Sequence, residues 1–315
     1  MKRNLLLSAF SALLAAAIPA AASDCPGFLP PNDLKIPVNS LDARGIQETQ
    51  FNEVINTIEK IYKPVVAAQG KVLQINRLWT NDTVNANASQ SGNKFVLNMY
   101  GGLARHEAVT MDGFALVVCH ELGHHLGGAP KGGWASIEGQ ADYYANLKCL
   151  RQVFADSSSN AFTAMKGSDE VAQQECAAAF PAPADRAICV RAAMAGKSVA
   201  RLFMALHNDP VAPGFDTPDP KVVTTMFTDH PATQCRMDTY LQGSLCRQPV
   251  SAPLSATNAA AGTCTRSGGF TGGFRPLCWY KPANPAELLP PAARAFGAEE
   301  ELPPAFSTLL GSLAW

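Results

Sequence analysis

The chain has 315 residues, with 25 Lys and Arg against 26 Asp and Glu, a formal net charge of -1 and 47% hydrophobic residues. That balance supplies no basic field for nucleic acid, and the length suits one large domain or one domain with appendages.

Lys2 and Arg3 precede an apolar run from Leu5 to Ile18 and the small residues Pro19-Ala20-Ala21-Ala22. This is the pattern of an export signal cleaved after Ala22, and the run is shorter than the roughly 20 residues a spanning helix needs. Removing Lys2 and Arg3 takes the formal charge from -1 to -3. Later apolar stretches carry charges, as Val190 to Leu206 does at Arg191, Lys197 and Arg201. The expectation is a soluble, periplasmic or secreted protein with no membrane span after signal cleavage.

After a Pro-rich lead from Pro26 to Pro37, apolar residues recur at Phe51, Val54, Ile55, Ile58, Ile61 and Tyr62, predicting a helix that stops near Pro64. Val72 to Trp79 and Lys94 to Met99 read as strands joined as a hairpin across the turn-rich stretch between them. From Asp112 a helical pattern runs to the stop signal Gly127-Gly128. A Gly/Pro turn leads to a second helix from about Ala135 to Phe154, and beyond Ser157-Ser158-Ser159 alanine-rich helices extend to Asn208. Asp209 to Asp219 is Pro-rich and irregular. Beyond Gln248 the composition shifts to Pro, Ala, Gly and Ser around Cys264 and Cys278, with a poorly structured tail expected from about Pro282. The reading is a leader at 1–22, a main domain at 23–248 and a cysteine-pinned extension at 249–315.

Nine cysteines follow the leader. Cys119, in an apolar run, reads as a buried thiol; Cys25, Cys149, Cys176, Cys189, Cys235, Cys246, Cys264 and Cys278 read as four disulfides, in keeping with export. The leaning is towards Cys176 with Cys189, Cys235 with Cys246, Cys264 with Cys278 and Cys25 with Cys149. No C-x-x-C pair suggests a cysteine metal site.

His120-Glu121-Leu122-Gly123-His124 is an H-E-x-x-H run in a helical context. Residues four apart share a helix face, so both imidazoles can reach one ion while Glu121 stands beside the open position as general base. A structural pair of helix histidines is the bland alternative. Imidazole and carboxylate suit zinc, one ion per chain, and a catalytic zinc wants a third ligand. Extending the motif puts Gly127 in place but Pro130 where a third histidine would stand, which excludes the metzincin arrangement. His125 lies about 100° around the helix and reads as a packing residue. In Glu138-Gly139-Gln140-Ala141-Asp142, Glu138 and Asp142 are four apart, so one can ligate, Glu138 being the candidate, while the other accepts from a ligand histidine; the alternative for Glu138 is a solvated carboxylate.

On these residues the chain resembles the HtpX-like and CAAX-prenyl-endopeptidase-like gluzincins, which include BepA-type periplasmic members. Glu138, Ala141 and Asp142 match that family's E-x-x-A-D motif, Asn85-Ala86 looks like its N-A segment, and His230-Pro231 with Arg236 matches its late H-P followed by arginine. The matches span roughly residues 72 to 241. Only 13 residues separate His124 from Glu138, fewer than is usual there, and the cysteine-rich parts have no counterpart.

The resemblance implies an α+β gluzincin-type zincin domain, mostly helical with a small antiparallel sheet, here stapled by disulfides. It implies a zinc metalloendopeptidase with Glu121 moving the proton; the substrate's identity does not carry over, and the expected partners are polypeptides, misfolded or envelope proteins among them. His230 is expected near the zinc as the donor to the oxyanion, with a helix-capping histidine as its alternative. Lys94 to Met99 is the candidate edge strand for an extended substrate, or an ordinary core strand. The rivals are a non-enzymatic envelope assembly or binding factor with structural zinc, and a metal-dependent cell-wall amide hydrolase.

Overall fold

The structure, a computed structural model, describes residue 25 and residues 27–155 and 168–288. The expected leader, the Ser157 loop and the tail beyond 288 lie outside these residues.

Helix α1, Glu48–Ala67, buries Phe51, Val54, Ile55, Ile58, Tyr62 and Val66 along one stripe. It runs one turn past the expected stop at Pro64. A proline inside a helix costs about 3 kcal/mol, which full burial of Val66 offsets by about 1.5–3 kcal/mol.

Strands β1 (Val72–Leu78), β2 (Ala86–Ser91) and β3 (Lys94–Tyr100) form a sheet in the order β1-β3-β2. The expected hairpin of the first and last strands is not there, and the sheet is mixed. β1 runs parallel to β3, and the antiparallel partner of β3 is β2. The supposed turn between them holds a strand of its own, whose small residues Ala86 and Ala88 are fully buried, too weak a β signal to read from sequence.

Helix α2 (Gly101–Arg105) leads to α3 (Met111–Leu126), whose N-cap Thr110 accepts from the Gly113 amide at 3.0 Å. A short hairpin, β4 (Lys131–Gly132) and β5 (Ala135–Ser136), turns the chain into α4 (Glu138–Tyr144). α4 continues through a π turn, Ala145–Cys149, into α5 (Leu150–Ala155). α6 (Glu170–Ala179), α7 (Pro183–His207) and α8 (Thr233–Leu245) complete the helical layer. α3 and α4 approach closely: a Cβ on Gly123 would come within 3.0 Å of Ala141 Cα. The fold is thus α+β, a small sheet with helices packed around α3.

Residues 249–288 wind over α4 and α8 as irregular chain ending in a 3-10 turn, Pro285–Leu288, where a tail was expected from Pro282. Trp279, fully buried, packs with Ile137, Tyr143 and Leu147 and donates Nε1 to Thr239 Oγ1 at 2.9 Å.

Four disulfides are present: Cys119–Cys149, Cys176–Cys189, Cys235–Cys278 and Cys246–Cys264. The local pair Cys176–Cys189 is as expected; the other pairings are corrected. Cys235 and Cys246 both belong to α8 and its C-cap; eleven helical steps part them by about 16 Å, beyond the roughly 4.4–6.8 Å a disulfide spans. Cys119, taken as a thiol, instead ties α3 to the π turn, with Cα atoms 5.6 Å apart. Cys25 is the cysteine outside these pairs. No helix among the described residues is long and apolar enough to cross a membrane.

Candidate metal centre

His120 and His124 project from one face of α3, and Glu138 is the first residue of α4. The short β4–β5 hairpin folds α4 back onto α3, so the three side chains converge. His120 Nε2 lies 3.3 Å from Glu138 Oε2, and His124 Nε2 lies 3.6 Å from Glu138 Oε1. Ligand atoms placed tetrahedrally about 2.0–2.2 Å from one ion would stand about 3.3–3.6 Å apart. These three residues can hold a metal ion.

The other nitrogens are spoken for. His120 Nδ1 donates to Asp142 Oδ1 at 2.7 Å, and His124 Nδ1 donates to the Ser136 carbonyl at 2.8 Å. Both acceptors fix the tautomer that leaves the Nε2 lone pairs aimed at each other's space. Accordingly His120 Nε2, His124 Nε2 and Glu138 Oε2 are buried with no hydrogen-bond partner among the described residues. Buried polar atoms left this way are costly unless something binds them, and an ion held there would do so.

Asp142 Oδ1 also accepts from Arg236 Nη2 at 2.7 Å and from the Tyr240 hydroxyl at 2.8 Å. Burial alone would raise the Asp142 carboxyl, but Arg236 and His120 outweigh it and hold it below its ordinary range. Burial likewise opposes the charged form of His120, yet the Asp142 carboxylate raises it to about 9. His124 has no such carboxylate on Nδ1, and burial takes it down to about 4. The Glu138 carboxyl, which burial would raise, is held low by His124 and His120.

Glu121 is fully buried beside this triad, and neither carboxylate oxygen has a hydrogen-bond partner among the described residues. Burial pushes its pKa up to about 8, the range useful to a proton carrier near neutral pH. His125, the neighbour of a ligand, packs instead: its ring stacks on Phe95 at 4.3 Å and leans on Trp134 at 4.8 Å.

His230 lies beside the triad, its Nε2 3.6 Å from Glu138 Oε2. It does not cap a helix, since α8 begins at Thr233 with Ala232 before it. Its Nδ1 is 3.0 Å from Asp229 Oδ1, and its Nε2 is 2.8 Å from the Gly27 carbonyl oxygen. The Arg236 guanidinium lies over the rings of both Phe28 and Phe203, at 4.8 and 4.1 Å.

The candidate substrate strand is corrected. Lys94 to Met99 belongs to β3, the central strand, paired on both sides. The sheet edge nearest the site is β2, and the chain's own amino-terminal stretch lies on it: the Cys25 amide donates to Ala88 O at 3.0 Å and the Phe28 amide to Ala86 O at 2.8 Å. The sequence offered no sign of this, because one phenylalanine in a Pro-rich lead has no periodicity to read. The centre is therefore closed, with His120 and Glu121 at 0%, His124 at 2% and Glu138 at 3% exposure. A cavity of about 400 Å³ lies elsewhere, among Arg266, Phe274, Tyr280 and Glu287.

Comparison with protein-family models, curated proteins and solved structures finds no match for this chain.

Proposed function

We propose that the chain is an exported zinc-dependent endopeptidase of the gluzincin type. The observation that carries this reading is the pairing of a three-ligand cluster with a buried, unpartnered Glu121 that binds none of the cluster's space. A structural metal needs no such carboxylate.

Two imidazoles and a carboxylate suit zinc, and when bound it supplies Lewis acidity towards a substrate carbonyl and an adjacent water. His120, His124 and Glu138 would hold it. Asp142, itself fixed by Arg236 and Tyr240, orients His120 and raises its basicity. Glu121 accepts the proton of the attacking water and passes it to the departing nitrogen. His230 donates to the carbonyl oxygen as negative charge grows there. The four disulfides support export to an oxidising compartment, periplasmic or extracellular.

A second reading has one observation in its favour. The closed centre is what a structural zinc would have, and it suits a binding or assembly factor. Glu121→Gln separates the two, since the amide keeps the shape but takes no proton. The peptidase reading predicts that wild-type protein cleaves a denatured polypeptide, and that the variant falls by about 10²–10⁴-fold with metal content unchanged. Wild-type protein that holds its metal and cleaves nothing would favour the structural role.

A further inference from the structure

We propose that the chain cuts itself between Gly27 and Phe28. This inference rests on the peptidase reading above.

Gly27 to Leu29 run beside the β2 edge as a bend, the Gly27 amide turned back onto the Cys25 carbonyl at 3.0 Å, and the polar groups that follow are met in order. The Gly27 carbonyl accepts from His230 Nε2 at 2.8 Å. The Phe28 amide donates to Ala86 O at 2.8 Å, and the Phe28 carbonyl accepts from Arg236 Nη1 at 3.1 Å. The Leu29 amide donates to Asn85 Oδ1 at 2.9 Å, and Asn85 Nδ2 donates back to Leu29 O at 3.1 Å. The direction is antiparallel, because Cys25 meets Ala88 while Phe28 meets Ala86.

This register brings one peptide unit to the edge of the centre, one histidine away from the ligand Glu138. Its oxygen is on a histidine whose Nε2 stands 3.6 Å from the ligand Glu138, and its N–H is fixed on a backbone carbonyl. The Phe28 ring lies edge-on to the ligand His120, 4.9 Å between centroids, and against Phe203 at 5.3 Å. Gly27 sits at φ 34°, and a Cβ there would come within 2.8 Å of the Asn85 side chain, so the position before the bond favours glycine. A peptide bond held in place beside its reacting groups has the advantage of an intramolecular reactant.

The step consumes one water. Its oxygen bonds to the Gly27 carbonyl carbon while Glu121 takes its proton, and His230 holds the oxyanion. The C–N bond to Phe28 then breaks, the nitrogen receiving the proton from Glu121, and the proton left on the new acid passes through the same carboxylate to the free amine. The products are a Gly27 carboxylate and a chain beginning at Phe28, whose ring stays packed on His120.

The test is the amino terminus of the exported, metal-loaded chain, read by intact mass and terminal sequencing. Wild-type protein should begin at Phe28, and Glu121→Gln should keep the residues before it. In a mixture, wild-type protein should leave the Glu121→Gln terminus uncut, because that terminus is held in its own cleft. In metal-free Glu121→Gln, the Phe28 and Leu29 amides should resist hydrogen exchange as well as those of β2. An uncut wild type that hydrolyses supplied polypeptide would overturn self-cleavage and leave the peptidase reading standing. An uncut wild type inert to polypeptide would sink both. Trimming of the variant by wild type, or freely exchanging Phe28 and Leu29 amides, would overturn the in-place register.

Discussion

His120, His124 and Glu138 place their ligand atoms within 4.8 Å of one another, and so do Asp219, Cys235 and Cys278. In the first group each imidazole uses Nδ1 for an acceptor and keeps Nε2 without a hydrogen-bond partner among the described residues. In the second the two sulfurs are bonded to each other, and Asp219, partly exposed, accepts from the Lys221 amide through Oδ1. Ligand-type residues at close range therefore say little by themselves. A centre that can hold an ion needs lone pairs left over and neighbours that aim them; the second group is a staple joining α8 to the carboxy-terminal winding.

The sharpest way to break this contrast is at His230, a polar donor facing the first group. His230→Ala should lower kcat towards polypeptide by about 10²–10³-fold with metal content unchanged. Loss of the metal would make His230 a ligand, and an unaltered kcat would make it structural.

Next in size is Asp142, the residue that aims His120. Asp142→Ala should weaken metal binding by about 10–100-fold. It also leaves Arg236 buried without its carboxylate, a loss of about 3–5 kcal/mol. Asp142→Asn, which keeps the shape, should show the affinity loss with less destabilisation. An unchanged affinity in both would remove Asp142 from the centre.

A smaller effect is expected with pH. Asp142 and Glu138 are held below the ordinary carboxylate range in the folded chain, so the unfolded state binds protons first as pH falls. Their stabilisation is complete above the unfolded values, about 3.9–4.3, and is lost as pH drops through the lower folded ones. Denaturant unfolding of the metal-free protein should show stability falling below about pH 4, more steeply for wild type than for Asp142→Asn. Parallel curves would contradict the assignment.

The elements of the centre were legible because their signals are local. His120, Glu121 and His124 share one helical turn, and Glu138 and Asp142 another, so spacing alone puts them on common faces. The long amphipathic α1 showed its stripe for the same reason. What failed was non-local. Alanine-rich β2 carries no β pattern, so β3 looked like an edge when it is central. Disulfide partners depend on which helices meet: Cys119 and Cys149 are 30 residues apart and adjacent only because α4 folds back on α3. The place of Phe28 depends on Arg236, His120 and Phe203, far along the chain, and no window of sequence contains that contact.

His120, His124 and Glu138 can hold an ion, whereas Asp219 with the bonded pair Cys235–Cys278 has no sulfur lone pair to spare as a thiolate. Metal content of the purified chain, measured on wild type, Glu138→Ala and Asp219→Ala, tests it directly. One zinc per chain is expected in wild type and in Asp219→Ala, and loss of it in Glu138→Ala. Full occupancy in Glu138→Ala, or loss of an ion in Asp219→Ala, would contradict it.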